Sequence, residues 1–230
     1  MPFYIQRGNI PPKRHTQHRD EQGKLYHEQL VSRQGFSGIY SNMYHHKPPT
    51  RLSSVGEFTP IKYHAVENTP HRQHHLETFK FHHWGNWISG RRLLAFNSDV
   101  ALFVAVPKDQ GEFLYRNGIG DEIIFVHHGK GTIETIFGNL AYGPGDYIVI
   151  PRGVMYQLTF TSDDNRFFII ESAGMVETPK RYRNEYGQLM EHAPFCERDI
   201  RIPVFQEPQD REDKARFLLK LGHGIQEYTF

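Results

Sequence analysis

The sequence predicts an all-β fold, a closed antiparallel barrel or a jelly-roll sandwich, and three observations lead there. Eight short β-branched or aromatic runs follow one another between Leu93 and Glu171, punctuated by Gly, Pro, Asn or Asp at spacings of about ten residues. Phe 17 and Tyr 12 make the chain aromatic-rich, and such side chains suit pleated, half-buried strands better than helix bundles. Gly 20 and Pro 14 supply the turns that so many strands need.

The elements follow in order. Residues 1–92 are polar, rich in His and Pro and without a sustained helical period, so they read as an extended N-terminal arm that wraps the barrel. Within the arm, Leu25 to Leu30 (LYHEQL) reads as one or two helical turns. Phe58 to His64 (FTPIKYH) alternates weakly, as a strand interrupted by Pro60. Residues 93–176 are the barrel. Its runs are Leu93 to Phe96, Val100 to Val106, Glu112 to Arg116, Glu122 to His127, Thr132 to Phe137, Tyr147 to Ile150, Met155 to Phe160 and Arg166 to Glu171. Residues 177–230 begin as a polar connector marked by Pro179, Pro194, Pro203 and Pro208. Its end, Asp210 to Phe230, fits a helix capped by Asp210 or a hairpin. The hairpin is preferred, because Phe217, Leu219 and Leu221 alternate, Gly222-His223-Gly224 turns, and Ile225 to Phe230 returns. The apolar finish at Tyr228-Thr229-Phe230 lacks a polar tail, which suggests a further domain absent from this chain.

Composition removes several function classes. Lys+Arg 27 against Asp+Glu 26 leaves a formal charge of +1, so no overall field attracts nucleic acid or an anionic membrane. The longest apolar run, Val100 to Val106, is far short of the roughly 20 residues that cross a bilayer. The start, Met-Pro-Phe-Tyr-Ile-Gln-Arg-Gly, lacks a secretory apolar stretch, and Cys196 has no second cysteine to pair with, so a cytoplasmic location is expected.

The densest signal runs from Gly120 to Phe160. Turns at Gly129 to Gly131, Gly138-Asn139, Gly143 to Asp146 and Pro151 to Gly153 separate strands in a self-consistent set of hairpins. This stretch resembles the cupin superfamily, whose second motif reads Gly-x5-Pro-x-Gly-x2-His-x3-Asn. Gly145, Pro151 and Gly153 match, whereas Tyr156 stands at the histidine and Phe160 at the asparagine. The first motif's closing Glu-x6-Gly is matched by Glu122 and Gly129. Its two upstream histidines fall on Tyr115 and Asn117, or on Arg116 and Gly118. The resemblance therefore implies the cupin, or RmlC-like, jelly-roll barrel in a degenerate form. A metal site of that kind needs about three imidazoles and a carboxylate, which these positions lack, so no metal ligand is assigned in this chain. Glu122 is expected to be a solitary carboxylate, hydrogen-bonded or facing solvent.

The histidine clusters, His45-His46, His71 with His74-His75, His82-His83 and His127-His128, are read as surface or interface residues, since adjacent strand residues point to opposite faces. Cys196 has Glu197 beside it and no local base, so it is read as a buried or idle thiol rather than a nucleophile.

Further segments narrow the resemblance. Leu25 to Leu30 followed by Gly35-Phe36-Ser37-Gly38, the Lys13 to Gln17 start, Trp84 to Gly90 (WGNWISG), Phe96 to Val100, and Arg183 to Pro203 are similar, in order, to homogentisate 1,2-dioxygenases. That resemblance implies a two-barrel enzyme that uses non-heme Fe(II) and O₂ to cleave homogentisate to maleylacetoacetate in tyrosine and phenylalanine catabolism. It also implies iron ligands, two His and one Glu, in a C-terminal barrel outside this chain, so no catalytic, cofactor-binding or metal residue is carried over here. Homo-oligomers, trimers or hexamers, are implied as well. The competing expectation is a stand-alone, metal-free module whose barrel mouth around Tyr115, Glu122 and Tyr156 binds a small aromatic or sugar, or which acts in oligomerisation.

Overall fold

A computed structural model describes residues 12–206 and 214–230, apart from 14, 39, 67–69 and 71. Arg14, His71, Pro208 and Asp210, which entered the sequence reading, lie outside the described residues. No helix among the described residues is long and apolar enough to cross a membrane.

The chain divides into two units, one built from residues up to 51 with 177–204, the other from 52–176 with 205–230. In the first, strands β1 (His27–Ser32) and β2 (Tyr40–His45) pair antiparallel in unbroken register from His27↔His45 to Ser32↔Tyr40. The helical turn expected at Leu25 to Leu30 is therefore a bridge residue and a strand. The hydrogen bonds of the β2 ladder replace those a short helix would have to nucleate alone. Ring contacts of His18 with Tyr44 and Tyr26 with His46 flank the ribbon. The connector closes on itself through the Arg183↔Leu189 bridge and Asn184, whose side-chain oxygen accepts from the backbone of Tyr186 and Gln188.

The second unit is a two-sheet β-barrel. After β3 (Ser54–Pro60) come β4 (Arg91–Phe96), β5 (Val100–Ala105), β6 (Leu114–Asn117), β7 (Asp121–His128) and β8 (Gly131–Thr135). Then follow β9 (Gly138–Tyr142), β10 (Tyr147–Ile150), β11 (Met155–Phe160), β12 (Arg166–Ser172), β13 (Arg216–Leu221) and β14 (Gly224–Thr229). One sheet has the order β10-β7-β12-β5-β4, the other β3-β14-β13-β6-β11-β8-β9. All eight runs read from the sequence between Leu93 and Glu171 are strands. A ninth, β9, went unread because a tight turn, with Thr135 Oγ1 accepting the Phe137 N–H, folds it straight back on β8.

Strand period explains the core. Along β12 every second residue, Phe167, Ile169 and Glu171, is buried, and along β7 the same holds for Glu122, Ile124 and Val126. These meet Tyr156 and Leu158 of β11, Ile148 and Ile150 of β10, and Trp87 from the segment before β4. Gly129 ends β7 at φ 97, and a Cβ there would lie 2.2 Å from the Asn165 side-chain oxygen. Only glycine fits that turn.

Two boundaries differ from the sequence division. The hairpin of β13 and β14 forms as expected, but it belongs to the barrel itself: β13 runs parallel to β6 and β14 pairs with β3. Residues 52–92 likewise belong with the barrel rather than with the arm. The cause is non-local pairing, which leaves no mark in the local pattern of either segment. Pro60 is accommodated because β3 is an edge strand, where a missing N–H costs nothing.

Candidate functional site: a buried charge cluster and the cavity above it

The strand period that buries Ile169 and Ile124 also buries Glu171 and Glu122, and the two carboxylates face each other directly across β12 and β7. Like charges so placed repel. Arg91, the first residue of β4, resolves the conflict: its Nη1 donates to Glu122 Oε1 and, at 2.9 Å, to Glu171 Oε1. Its Nη2 lies 3.2 Å from the Tyr156 hydroxyl, and its Nε donates to the Trp87 carbonyl at 3.2 Å. The segment Trp84 to Gly90 fixes that geometry. Asn86 Oδ1 accepts from the backbone of Ile88 and Ser89, while Gly90 packs where a Cβ would lie 2.3 Å from the Trp84 carbonyl.

The second cation is Lys220 on β13, whose Nζ donates to Glu171 Oε2 and sits 3.4 Å from the Tyr63 hydroxyl. Tyr156 donates to Glu122 Oε2 at 2.6 Å, and the Tyr115 hydroxyl stands 3.5 Å from Glu122 Oε1. Two cations and two carboxylates balance, and the side chains of Arg91, Glu171 and Lys220 are 7%, 9% and 6% exposed while Glu122 is fully enclosed. Such a cluster survives burial because nearly every charge is paired and hydrogen-bonded.

The electrostatics follow from that packing. Burial by itself would raise the Glu122 carboxyl, but the Arg91 charge and hydrogen bond, the Tyr156 hydrogen bond and the Lys220 charge outweigh it, so Glu122 is held below the ordinary carboxylate range. Burial first, and then the Glu122 charge, push the Tyr115 and Tyr156 hydroxyls well above their usual range. Tyr63 is pushed up to about 12, mainly by burial and then by Glu171.

A cavity of about 520 Å³ opens onto one side of this cluster, between β3, β13 and β14 on one wall and β4, β5 and β12 on the other. Arg91, Glu171, Lys220, Tyr63 and Tyr115 reach it, but Glu122 and Tyr156 do not. The expected mouth around Tyr115, Glu122 and Tyr156 is therefore corrected. Those three are 1%, 0% and 0% exposed: Glu122 and Tyr156 form the packed interior behind Arg91, and of the three Tyr115 alone also lines the cavity. Glu122 is not solitary but the most enclosed acid of a network. Arg91, Glu171, Lys220 and Tyr63 were missed by sequence reasoning. The signal was present for Glu171, a charge in RFFIIES at a position where a buried side chain alternates. Lys220 stands out of phase with the Phe217, Leu219, Leu221 alternation read from the sequence, yet Leu218 and Lys220 are buried.

The cluster does not suit a metal ion. It has no imidazole, and a guanidinium occupies the carboxylates' inner face. Among the described residues no three His, Cys, Asp or Glu side chains converge as a donor set. The histidines lie elsewhere: His83 and His128 both flank Asp164, at 3.4 and 3.6 Å, and His45 Nε2 is 2.9 Å from Gln29 Oε1. Cys196 is half-exposed, and its backbone N–H donates to Asp199.

The family described as homogentisate 1,2-dioxygenase N-terminal matches residues 40–218. The chain belongs to that family. A protein of Saccharolobus solfataricus named "Putative dioxygenase SSO1533" is 37% identical over 227 residues, 98% of this chain and 58% of that protein. Homogentisate 1,2-dioxygenase of Emericella nidulans is 28% identical over 155 residues, 62% of this chain and 34% of that protein. The chain thus spans little more than half the length of the first relative and about a third of the second. Among solved structures, a cupin-2 domain protein from Shewanella frigidimarina aligns with 41% of this chain and 86% of its own at 24% identity and TM-score 0.33. KdgF from Halomonas does so with 41% and 88% at 20% identity and TM-score 0.35. The fold of this family member is an all-β, two-sheet barrel, and the relatives it matches carry dioxygenase names.

Proposed function

We propose that this chain is the N-terminal, non-catalytic cupin portion of an Fe(II)-dependent dioxygenase that cleaves the ring of homogentisate with O₂ to give maleylacetoacetate. The observation that carries the reading is the buried Arg91, Glu122, Glu171 and Lys220 cluster. At the cupin motif positions this barrel holds neutralised charges and two tyrosines in place of ligand histidines. The family membership supports the dioxygenase chemistry, and the longer relatives support a further barrel that would carry the two His and one Glu holding iron. In that arrangement the present barrel supplies rigid packing surface and no ligand. Self-association of the protein is part of the proposal. It is supported by β10, an edge strand of the five-stranded sheet that turns Tyr147 and Val149 outward, 69% and 48% exposed.

The experiment compares the chain alone with the protein encoded by the whole gene. Metal analysis after Fe(II) loading and product formation from homogentisate are measured on both. The chain alone is expected to hold no stoichiometric iron and form no product, and the longer protein to do both. Iron bound to the chain at about one equivalent, and lost in Glu122→Gln, would overturn the reading. Failure of the longer protein to consume homogentisate would remove the substrate assignment.

A further inference from the structure

We infer that the cavity above the charge cluster is a binding site for an uncharged molecule with a ring-sized apolar body and a hydroxyl group. Its volume of about 520 Å³ lies within the usual range of small-molecule sites. Its walls carry the apolar side chains Ile61, Leu93, Phe103, Leu218 and Ile225, with Thr59, Asn86 and Ser89 among them. Its floor is polar and almost wholly buried, the Lys220 and Glu171 ion pair with the Tyr63 hydroxyl beside it.

The floor decides the head group. An ammonium has three N–H donors, and Lys220 spends one on Glu171 and directs at most one more toward Tyr63, at 3.4 Å. Each Glu171 oxygen accepts one hydrogen bond, from Arg91 and from Lys220, and keeps a second lone pair. A donor and an acceptor therefore stand side by side at the base of the cavity, below its apolar side chains. A hydroxyl satisfies both at once and adds no charge. A carboxylate would take the donor but meet the Glu171 charge, and an ammonium would meet Lys220.

The surrounding charge points the same way. Lys62, Arg91, Arg216 and Lys220 are set against Glu57, Glu171 and Glu227 at the cavity, with Glu122 behind Arg91. The positive and negative charges cancel, so no net field rewards an ion for losing its hydration. At the rim Arg216 is already engaged by Glu227 at 2.7 Å. The Tyr63 hydroxyl, pushed up to about 12, stays protonated at neutral pH and is available to the same head group. The inference stands on the cavity's own residues and does not depend on the dioxygenase reading.

Four probes test it on the intact chain: phenol, cyclohexanol, benzoate and toluene, followed by amide chemical shifts and calorimetry. At least one of the two alcohols is expected to shift the amides of Tyr63, Leu218 and Ile225 saturably. Benzoate and toluene should bind at least about tenfold more weakly than that alcohol. The comparison of phenol with cyclohexanol tells an aromatic body from an alicyclic one. Ile225→Phe, which narrows the cavity beside its apolar side chains and leaves the ion pairs untouched, should weaken binding while unfolding cooperatively. Should that variant not fold, the shift map on the unmodified chain decides. The inference is overturned if neither alcohol gives saturable shifts, if the shifts lie outside the cavity, if benzoate binds as well as the alcohols, or if folded Ile225→Phe binds undiminished.

Discussion

Arg91→Met should be among the most damaging single substitutions in the barrel, and the reason can be worked from its contacts. Arg91 donates to Glu122, Glu171, Tyr156 and the Trp87 carbonyl, and it separates two carboxylates that stand in direct cross-strand register. Methionine fills much of the same volume, so the loss is mainly electrostatic. Lys220 still serves Glu171, but Glu122, at 0% exposure, keeps only Tyr156 and the distant Tyr115 hydroxyl. Removing one member of a buried ion pair costs about 3 to 5 kcal/mol. The double variant Arg91→Met with Glu122→Met removes one charge of each sign and leaves the neutral Lys220 and Glu171 pair. Its cost is mainly the orphaned Tyr156 hydroxyl, about 1 to 3 kcal/mol. The double variant is therefore expected to be more stable than the single one, by roughly 2 kcal/mol. Urea unfolding followed by tryptophan fluorescence measures this, since Trp87 lies in the core 5.2 Å from the Tyr156 ring. A loss below about 1 kcal/mol in Arg91→Met, or a double variant less stable than the single, would refute the reasoning.

Three further outcomes are expected. Glu122, held low in the fold, contributes stability that is present above its ordinary value of 4.5 and lost as pH falls below it; the raised tyrosines act oppositely. With Tyr63 pushed up to about 12 from 10.0, that contribution is full below pH 10.0 and lost as pH rises toward 12, so urea midpoints should fall at both extremes. Gly129→Ala, at φ 97 with Asn165 in the way, should cost more than Gly145→Ala, at φ 90 with open space around it: roughly 2 kcal/mol or more against about 1, by thermal unfolding. Light scattering should show an oligomer, and Tyr147→Lys on the exposed edge strand should weaken it; a monodisperse monomer in both would remove the association proposal.

Local pattern alone determined the class of this fold. Period-two runs such as RFFIIES and DEIIFV, and the glycines that close their turns, specify strands and their inward faces without reference to anything distant. The same reading showed Tyr156 where the resembled motif carries a histidine, since that difference is visible in the residue itself. What occupies that interior instead was settled only by tertiary structure. Arg91, Glu122, Glu171 and Lys220 lie on four strands separated by as many as 129 residues, and their meeting depends on β13 docking parallel to β6. Strand pairing over such separations is set by the fit of whole faces rather than by neighbours in sequence. A charged residue at an inward position shows locally only that it needs a partner. The fold chose Arg91 as that partner for Glu122, and Lys220 for Glu171.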